Sequence, residues 1–253
     1  MKLVESIMTQ NPCYMAGRKI TVKGLMLHSV GCPQPSASVF IKNWNKSTYN
    51  NACVHGFIDA NDGTVYQTLP WNHRGWHGGG SSNNTHIGVE MCEPACIKYV
   101  GGATFTCSDK PKAIAAVERT YKAAVELFAM LCGKYGLDPL ADGVIVSHKE
   151  GYVRGIATNH GDPEHLWTQL GTSYTMDTFR KAVKAEMDKS KLDNTPASWS
   201  KESVEWAVAE GLMAGGTNGD LMLRSPITRE QFCVMLKRYH DFCGKQNNQK
   251  STY

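Results

Sequence analysis

Two apolar segments of the chain each end in a histidine. His28 closes the run VKGLMLH, and His148 closes the run VIVSH. A single histidine at the end of a buried strand is more often structural than functional. Two of them, the second followed by a loop rich in polar side chains, favour a shared functional site.

The segment that follows His148 supplies further groups able to do chemistry. It reads SHKEGYVRGIATNHGDPEHLW, and its candidates are His160, Asp162, Glu164 and His165. A catalytic zinc ion takes three protein ligands and keeps one position open. His28, His148 and Asp162 would give it two imidazoles and one carboxylate, and the ion would activate water and polarise a carbonyl.

Two other residues are candidates for handling protons and charge. Glu90, in the strand-like segment HIGVEMC, could accept a proton from water and pass it to a leaving amine. His160 could donate a hydrogen bond to an oxyanion. The spacing alone leaves other interpretations open, because the ligands are far apart and no H-E-x-x-H motif is present.

Strands and helices of one domain must position these residues. Strands are predicted at 22–28, 53–59, 64–69, 86–92 and 144–148, and Asp62-Gly63 predicts a hairpin turn. A long helix is predicted after Ser108 or Asp109, ending at Gly133, and a second carries Met176 and Phe179. Strands mixed with long helices predict an α/β fold around a central sheet.

Composition divides the chain and limits its partners. We expect a catalytic domain over 1–189, a linker over 190–198, a small α-helical unit over 199–244 and a disordered polar tail over 245–253. The net charge of +4 favours an anionic partner such as a wall polymer over nucleic acid. No signal peptide or membrane span is recognisable, so we expect cytoplasmic accumulation.

Several segments, in order, resemble the type 2 N-acetylmuramoyl-L-alanine amidase family, which is related to phage lysozyme-like amidases and peptidoglycan recognition proteins. They are GLMLHSVG, VHGFIDANDGTVYQ, RGWHGGG, HIGVEMCEP, SHKEG and NHGDPEHLW, and the stretch that they cover is roughly 150 residues long. The resemblance implies a mixed central β-sheet flanked by helices, with one zinc ion (Zn2+) at the end of a substrate groove. It also implies hydrolysis of the amide bond between N-acetylmuramic acid and L-alanine in bacterial peptidoglycan.

The resemblance also implies a role for individual residues. The metal ligands of the family fall on His28, His148 and Asp162, and its catalytic acid falls on Glu90. The position that stabilises the oxyanion, often lysine in the family, is His160 here. This departure leaves the pH optimum open.

Three more residues are expected on the substrate side of the site. The family's W-H-A-G segment appears as Trp76-His77-Gly78-Gly79, which would line the groove or simply anchor a loop. His55 matches a histidine of the hairpin strand and is expected near the site, where it would support the residues that bind metal and substrate. We therefore predict substrate-binding roles for His55, Trp76 and His77.

The C-terminal unit resembles a single S-layer homology motif, in the segments SVEWAVAEGLMAG and SPITREQFCVMLKRY. This resemblance implies binding to a secondary wall polymer. Such motifs usually occur in threes, and the final acid of the T-R-x-E signature is Gln231 here. About 45 residues is near the lower limit for independent folding, so the apolar faces should pack on the amidase domain or on a second chain, which would make a homodimer.

Three functions follow from these patterns. The leading one is an endolysin-like amidase that reaches the wall after release from the cytoplasm. The second is a non-catalytic peptidoglycan-binding protein on the same fold, against which the complete ligand set argues. The third is a cytoplasmic amidase that recycles muropeptides, against which the C-terminal unit argues.

Overall fold

The computed structural model describes residues 1–189, 194–216 and 219–250. A six-stranded sheet lies at the centre of the first part, in the strand order β1-β4-β3-β5-β2-β8. Its strands are β1 (Leu3–Glu5), β2 (Gly24–Ser29), β3 (Gly56–Ile58), β4 (Val65–Gln67), β5 (His86–Met91) and β8 (Ile145–Ser147). The pair β3–β4 is antiparallel and the other pairs are parallel, which makes the sheet mixed as expected.

Strand β2 is buried along its whole length between β5 and β8. Both neighbours run parallel to it, and strands covered on both faces read as continuous apolar runs. This explains the apolar segment GLMLH, which forms an interior strand next to the edge strand β8. His28 pairs with Glu90 in the β2–β5 register, so the two residues share one face of the sheet.

Helices cover the sheet, and the longest of them is α3 (Lys110–Tyr135). Asp109 caps it, accepting a hydrogen bond from the backbone N–H of Lys112 at 3.0 Å. The predicted end at Gly133 is wrong. The helix continues until Gly136, whose left-handed backbone (φ 64°) ends it. The other helices of this part are α1 (Pro12–Met15), α2 (Ala37–Trp44), α4 (His148–Val153), α5 (Glu164–Leu170) and α6 (Met176–Lys189).

Two hairpins complete the first part. The turn at Asp62-Gly63 joins β3 to β4 as predicted, and Gly63 has a φ of 76° that suits glycine. A second hairpin was not predicted. It consists of β6 (Ile97–Gly101) and β7 (Thr104–Cys107), which pair with each other outside the main sheet.

The chain divides into two compact units, residues 1–189 and 190–253. The described residues of the second unit form two helices, α7 (Lys201–Ala209) and α8 (Arg229–Lys250). A capping box starts α8, since Thr228 and Gln231 exchange side-chain to backbone hydrogen bonds of 2.8 and 3.1 Å. Part of the predicted linker, 190–193, lies outside the described residues.

The polar tail needs a correction, because α8 continues through Gly244 to Lys250. Its lysine and glutamine residues favour a helix once one has started. Residues 251–253 of the predicted tail lie outside the described part. Within the described residues, none of the helices is both long and apolar enough to cross a membrane.

Candidate metal centre

Two parallel strands bring the predicted histidine ligands together. His28 is near the carboxyl end of β2, and His148 directly follows β8 as the first residue of α4. Ser147 caps α4 and forms a capping box with Glu150, which fixes the backbone at His148. The two Nδ1 atoms lie 3.0 Å apart and both side chains are buried.

Asp162 approaches the same point from the loop before α5. One carboxylate oxygen, Oδ2, is 3.3 Å from Nδ1 of His28, and Oδ1 is 3.6 Å from Nδ1 of His148. The backbone N–H of Ser29 also donates to Oδ2, at 3.3 Å. Burial acts to raise the pKa of Asp162, but its contacts with the imidazoles of His148 and His28 outweigh burial and hold the pKa well below its usual value.

These three side chains fit a zinc ion. Tetrahedral zinc, with bonds of about 2.0–2.2 Å, places its ligand atoms about 3.3–3.6 Å apart. The two histidine nitrogens are 3.0 Å apart, and each lies 3.3–3.6 Å from one of the two carboxylate oxygens of Asp162. With one ligand atom taken from each residue, all three atoms lie within 4.8 Å of one another. Burial lowers the pKa of His28, which favours the neutral ring that can bind a metal ion. Two imidazoles and one carboxylate are also the donor set of several hydrolytic zinc sites.

Glu90 lies beside this centre on strand β5. Its Oε2 atom is buried and has no hydrogen-bond partner in the part of the chain that the structure describes. Burial raises the pKa of Glu90 well above its ordinary value, and the charges of Asp162 and Glu93 add to that effect. A carboxyl group with a free oxygen and a raised pKa is suited to accepting and returning a proton.

A cavity of about 670 Å³ opens over the centre. Glu90, His148 and Asp162 line its floor, and Trp76 and Tyr99 are among the aromatic residues that line it. Trp76 is 50% exposed, so its indole is available to a ligand. A volume of this size accommodates a ligand of several sugar or amino-acid units, with the three potential metal ligands beneath it.

Comparison with known proteins agrees with this geometry. Residues 17–165 match the family described as N-acetylmuramoyl-L-alanine amidase. The chain belongs to this amidase family. Two curated relatives from Bacillus subtilis (strain 168) are similar to parts of it: N-acetylmuramoyl-L-alanine amidase XlyA is 37% identical over 79 residues, and CwlH is 35% identical over 85 residues.

These alignments are partial. They cover 30% and 32% of the present chain, and 25% and 32% of the lengths of XlyA and CwlH. Among solved structures, the Staphylococcus aureus hydrolase AmiA in complex with its ligand aligns with a TM-score of 0.56 and 21% identity. That alignment covers 74% of the present chain and 83% of AmiA, and it supports the amidase fold.

His160 lies at the mouth of the cavity rather than on its floor. Its side chain is 58% exposed, and its ring stacks on that of His148 with centroids 4.4 Å apart. Nδ1 of His160 is 3.7 Å from Oδ1 of Asp162. The ring is therefore next to the proposed ligands and accessible to a substrate, which is compatible with the role predicted for it.

His55 does not line the cavity, and its predicted contact with substrate is corrected here. It is fully buried, and both ring nitrogens are bound to backbone groups. Nδ1 accepts from the N–H of Gly88 at 3.0 Å, and Nε2 donates to the carbonyl of His73 at 2.8 Å. Burial lowers the pKa of His55 to about 4, so the ring is a neutral brace between strands and loops.

His77 does line the cavity, but its ring nitrogens are also occupied. They contact His28 and the carbonyl of His86, each at 3.0 Å. Burial, with the nearby His28, holds the pKa of His77 well below its ordinary value. The ring is thus placed against a proposed ligand rather than turned towards the substrate.

Sequence reasoning missed a partly buried chain of hydrogen bonds beside the site. Glu93 accepts the backbone N–H of Gly31 at 3.0 Å and the Tyr99 hydroxyl at 2.8 Å. The Tyr99 oxygen also lies 2.7 Å from Nε2 of His165. Burial raises the pKa of Glu93 to about 7. The Gly101-Gly102 pair between β-forming residues was the signal that could have revealed the hairpin carrying Tyr99.

Proposed function

We propose that this chain hydrolyses the amide bond between N-acetylmuramic acid and L-alanine in bacterial peptidoglycan, using zinc. One observation carries the proposal. The ligand atoms of His28, His148 and Asp162 lie within 4.8 Å of one another, and an open cavity lined by His148, Asp162 and Glu90 adjoins them. One carboxyl oxygen of Glu90 has no hydrogen-bond partner among the described residues. Membership of the amidase family supports the choice of bond.

Each residue has a distinct task in this proposal. His28, His148 and Asp162 hold the zinc ion, which supplies a Lewis acid that activates water and polarises the amide carbonyl. Glu90 accepts the proton of the attacking water at its free oxygen and returns it to the leaving amine of L-alanine. His160 donates a hydrogen bond to the carbonyl oxygen as negative charge develops there.

The cavity walls would hold the glycan and the peptide on either side of the cleaved bond. Trp76 offers an exposed indole face, a surface on which the apolar face of a sugar ring can stack. Tyr99 and the Gly102-Ala103 turn form part of the wall on the hairpin β6–β7. The Trp76 indole and the residues of the β6–β7 hairpin give the cavity enough surface to bind an extended muropeptide rather than a small metabolite.

A non-catalytic peptidoglycan-binding protein and a muropeptide-recycling amidase are the alternatives. A non-catalytic binding protein would need neither the proton-accepting oxygen of Glu90 nor a complete set of metal ligands. The presence of both in this chain argues against that alternative. The second would act on soluble fragments and not on whole walls. Synthesis in the cytoplasm followed by release to the wall stays a prediction.

The C-terminal unit has a proposed role in wall retention. Several large apolar side chains on it are exposed, including Trp199 (88% exposed), Phe232, Leu236 and Tyr239. Exposed apolar side chains in number favour a binding surface. A secondary wall polymer is one proposed occupant, as the S-layer-like pattern implies, and the same unit of a second chain is the other.

Metal analysis tests the zinc requirement. The purified chain should contain one zinc ion, and replacing His28, His148 or Asp162 by alanine should remove both the metal and the hydrolysis of walls. Two remaining ligands hold zinc poorly. A metal-free chain that digests walls at the full rate would refute the proposal.

A further inference from the structure

The ring of His77 lies between a proposed zinc ligand and a backbone carbonyl. Its Nε2 is 3.0 Å from the carbonyl oxygen of His86, and its Nδ1 is 3.0 Å from Nε2 of His28. A carbonyl oxygen can only accept, so Nε2 of His77 carries the hydrogen. The Nδ1 of a neutral His77 then has only a lone pair, and the hydrogen between the two rings belongs to Nε2 of His28. Nδ1 of His28 is thereby left with the lone pair that a metal ion requires.

The backbone of His77 is fixed by a buried side chain. The N–H groups of His77 and Gly78 both donate to Oδ1 of Asn83, each at 2.9 Å. The ring itself lies against strand β5, where a Cβ atom on Gly88 would come within 2.3 Å of it. Glycine at position 88 therefore provides the space in which this ring sits, and any larger residue there would displace it.

The same loop reaches the second imidazole through Thr158. The carbonyl oxygen of Gly78 accepts the backbone N–H of Thr158 at 2.8 Å and its hydroxyl at 3.3 Å. With its hydrogen directed to Gly78, the hydroxyl accepts from Nε2 of His148 at 3.3 Å, which leaves a lone pair on Nδ1 of His148, the nitrogen that faces His28 and Asp162. A Cβ on Gly79 would lie 2.6 Å from Thr158, so this contact also depends on glycine.

We propose that residues 77–83, together with Thr158, orient both histidine ligands and select the ring nitrogen that each presents to the metal. His77, Asn83 and Thr158 are positioning residues that act through His28 and His148. The inference rests on the zinc site of the proposed function, but it does not depend on which bond is cleaved. It replaces the substrate contact predicted for His77 with a role in metal binding.

Zinc affinity of the full chain tests the role of His77. In competition with a chromophoric chelator, His77→Leu should bind zinc about 10–100-fold more weakly, the usual cost of losing a hydrogen-bond partner of a metal ligand. His77→Asn keeps an amide oxygen near the position of Nδ1 and should recover much of the affinity. The matched control is His55→Leu, a neighbouring buried histidine bonded to backbone groups only. Unchanged affinity in His77→Leu would overturn the inference.

Thr158 offers a milder pair of variants. Thr158→Val keeps the shape and loses the hydroxyl, so it should weaken zinc binding, whereas Thr158→Ser should restore it. Thr120→Val, which removes a hydroxyl from the buried face of α3, controls for a general loss of stability. Equal zinc affinity in Thr158→Val and Thr158→Ser would remove Thr158 from the proposal.

A measurement on the unsubstituted chain keeps the inference testable if a variant fails to fold. Long-range ¹H–¹⁵N correlation spectra, recorded with and without zinc, report which ring nitrogen of each histidine carries hydrogen. We expect the hydrogen on Nε2 of both His28 and His77. A hydrogen on Nδ1 of His77 would overturn the inference. A chain that shows the expected pattern and binds zinc, yet leaves walls intact, would refute the proposed activity and leave the positioning role standing.

Discussion

Replacing Glu90 by glutamine separates catalysis from stability. The substitution preserves the shape of the side chain but removes its ability to accept a proton. Among the other carboxylates at the site, Glu93 already accepts hydrogen bonds from Gly31 and Tyr99, and Asp162 faces the two histidine ligands. Neither is free to replace Glu90 as a base. The expected loss in turnover is therefore that of a general base, about 10²–10⁴-fold, or roughly 3–5 kcal/mol of transition-state stabilisation.

The same substitution should stabilise the metal-free chain at neutral pH. The pKa of Glu90 is raised by burial, so above the ordinary pKa of glutamate the folded state retains a proton that the unfolded state has lost. Stability then falls as the pH rises through that window. Glutamine has no proton to lose, so the variant should resist urea better than the parent chain at pH 7–8. The two chains should converge near pH 4.

The assay is single-turnover hydrolysis of a soluble muropeptide, with the zinc content measured on the same samples. Glu90→Gln should keep its zinc, since Glu90 is not a proposed ligand. Glu118→Gln, on the exposed side of α3, is the matched control and should behave like the parent chain. Near-normal turnover in Glu90→Gln would refute the reasoning and transfer the role of base to another group, with His160 the first to examine.

Three other predictions follow from the same structure. Burial raises the pKa of Glu93 to about 7, so the parent chain should lose stability as the pH rises from about 4.5 to 7, and Glu93→Gln should remove this loss. Urea unfolding at a series of pH values measures the free energy of unfolding of both chains. The same pH dependence of that free energy in the two chains would contradict the prediction. Phe179→Ala removes a fully buried ring that packs against Phe128 and Tyr121, and it should lower the free energy of unfolding by about 3–5 kcal/mol. Denaturant titrations measure this loss, and a loss below about 1 kcal/mol would show that this part of the core is loosely packed. Deletion after Ser190 should leave soluble muropeptide hydrolysis intact and weaken retention on purified walls; equal retention would show that the C-terminal unit is not an anchor, and loss of soluble activity would show that it supports the catalytic unit.

Local patterns in the sequence predicted the elements that hold the metal ligands. The buried strands before His28 and His148 read as continuous apolar runs, and the Asp62-Gly63 turn has an unmistakable composition. The proximity of Asp162 to them came from the family resemblance together with its polar loop. No local rule determines that a residue 134 positions away from His28 in the chain lies 3.3 Å from it.

The errors share a physical cause, which is that tertiary partners decide the outcome. Gly133 is inside α3 because the cost of about 1 kcal/mol for a helical glycine is offset by burial of neighbours such as Leu131 and Cys132. The hydrogen-bond partners of His55 are the backbone groups of Gly88 and His73, whereas His77 contacts the ring of His28. The sequence alone does not show which groups lie beside each histidine. The hydrogen bonds of Glu93 and His165 to Tyr99 depend on the β6–β7 hairpin, which was not predicted.

The most direct test of the account is the identity of the ends released from purified peptidoglycan. Digestion by the zinc-loaded full chain should create new amino termini on L-alanine, in step with the loss of turbidity, and no new reducing sugars. His28→Ala and Glu90→Gln should release almost none. New reducing sugars, or new amino termini on a residue other than L-alanine, would contradict the proposed cleavage between N-acetylmuramic acid and L-alanine.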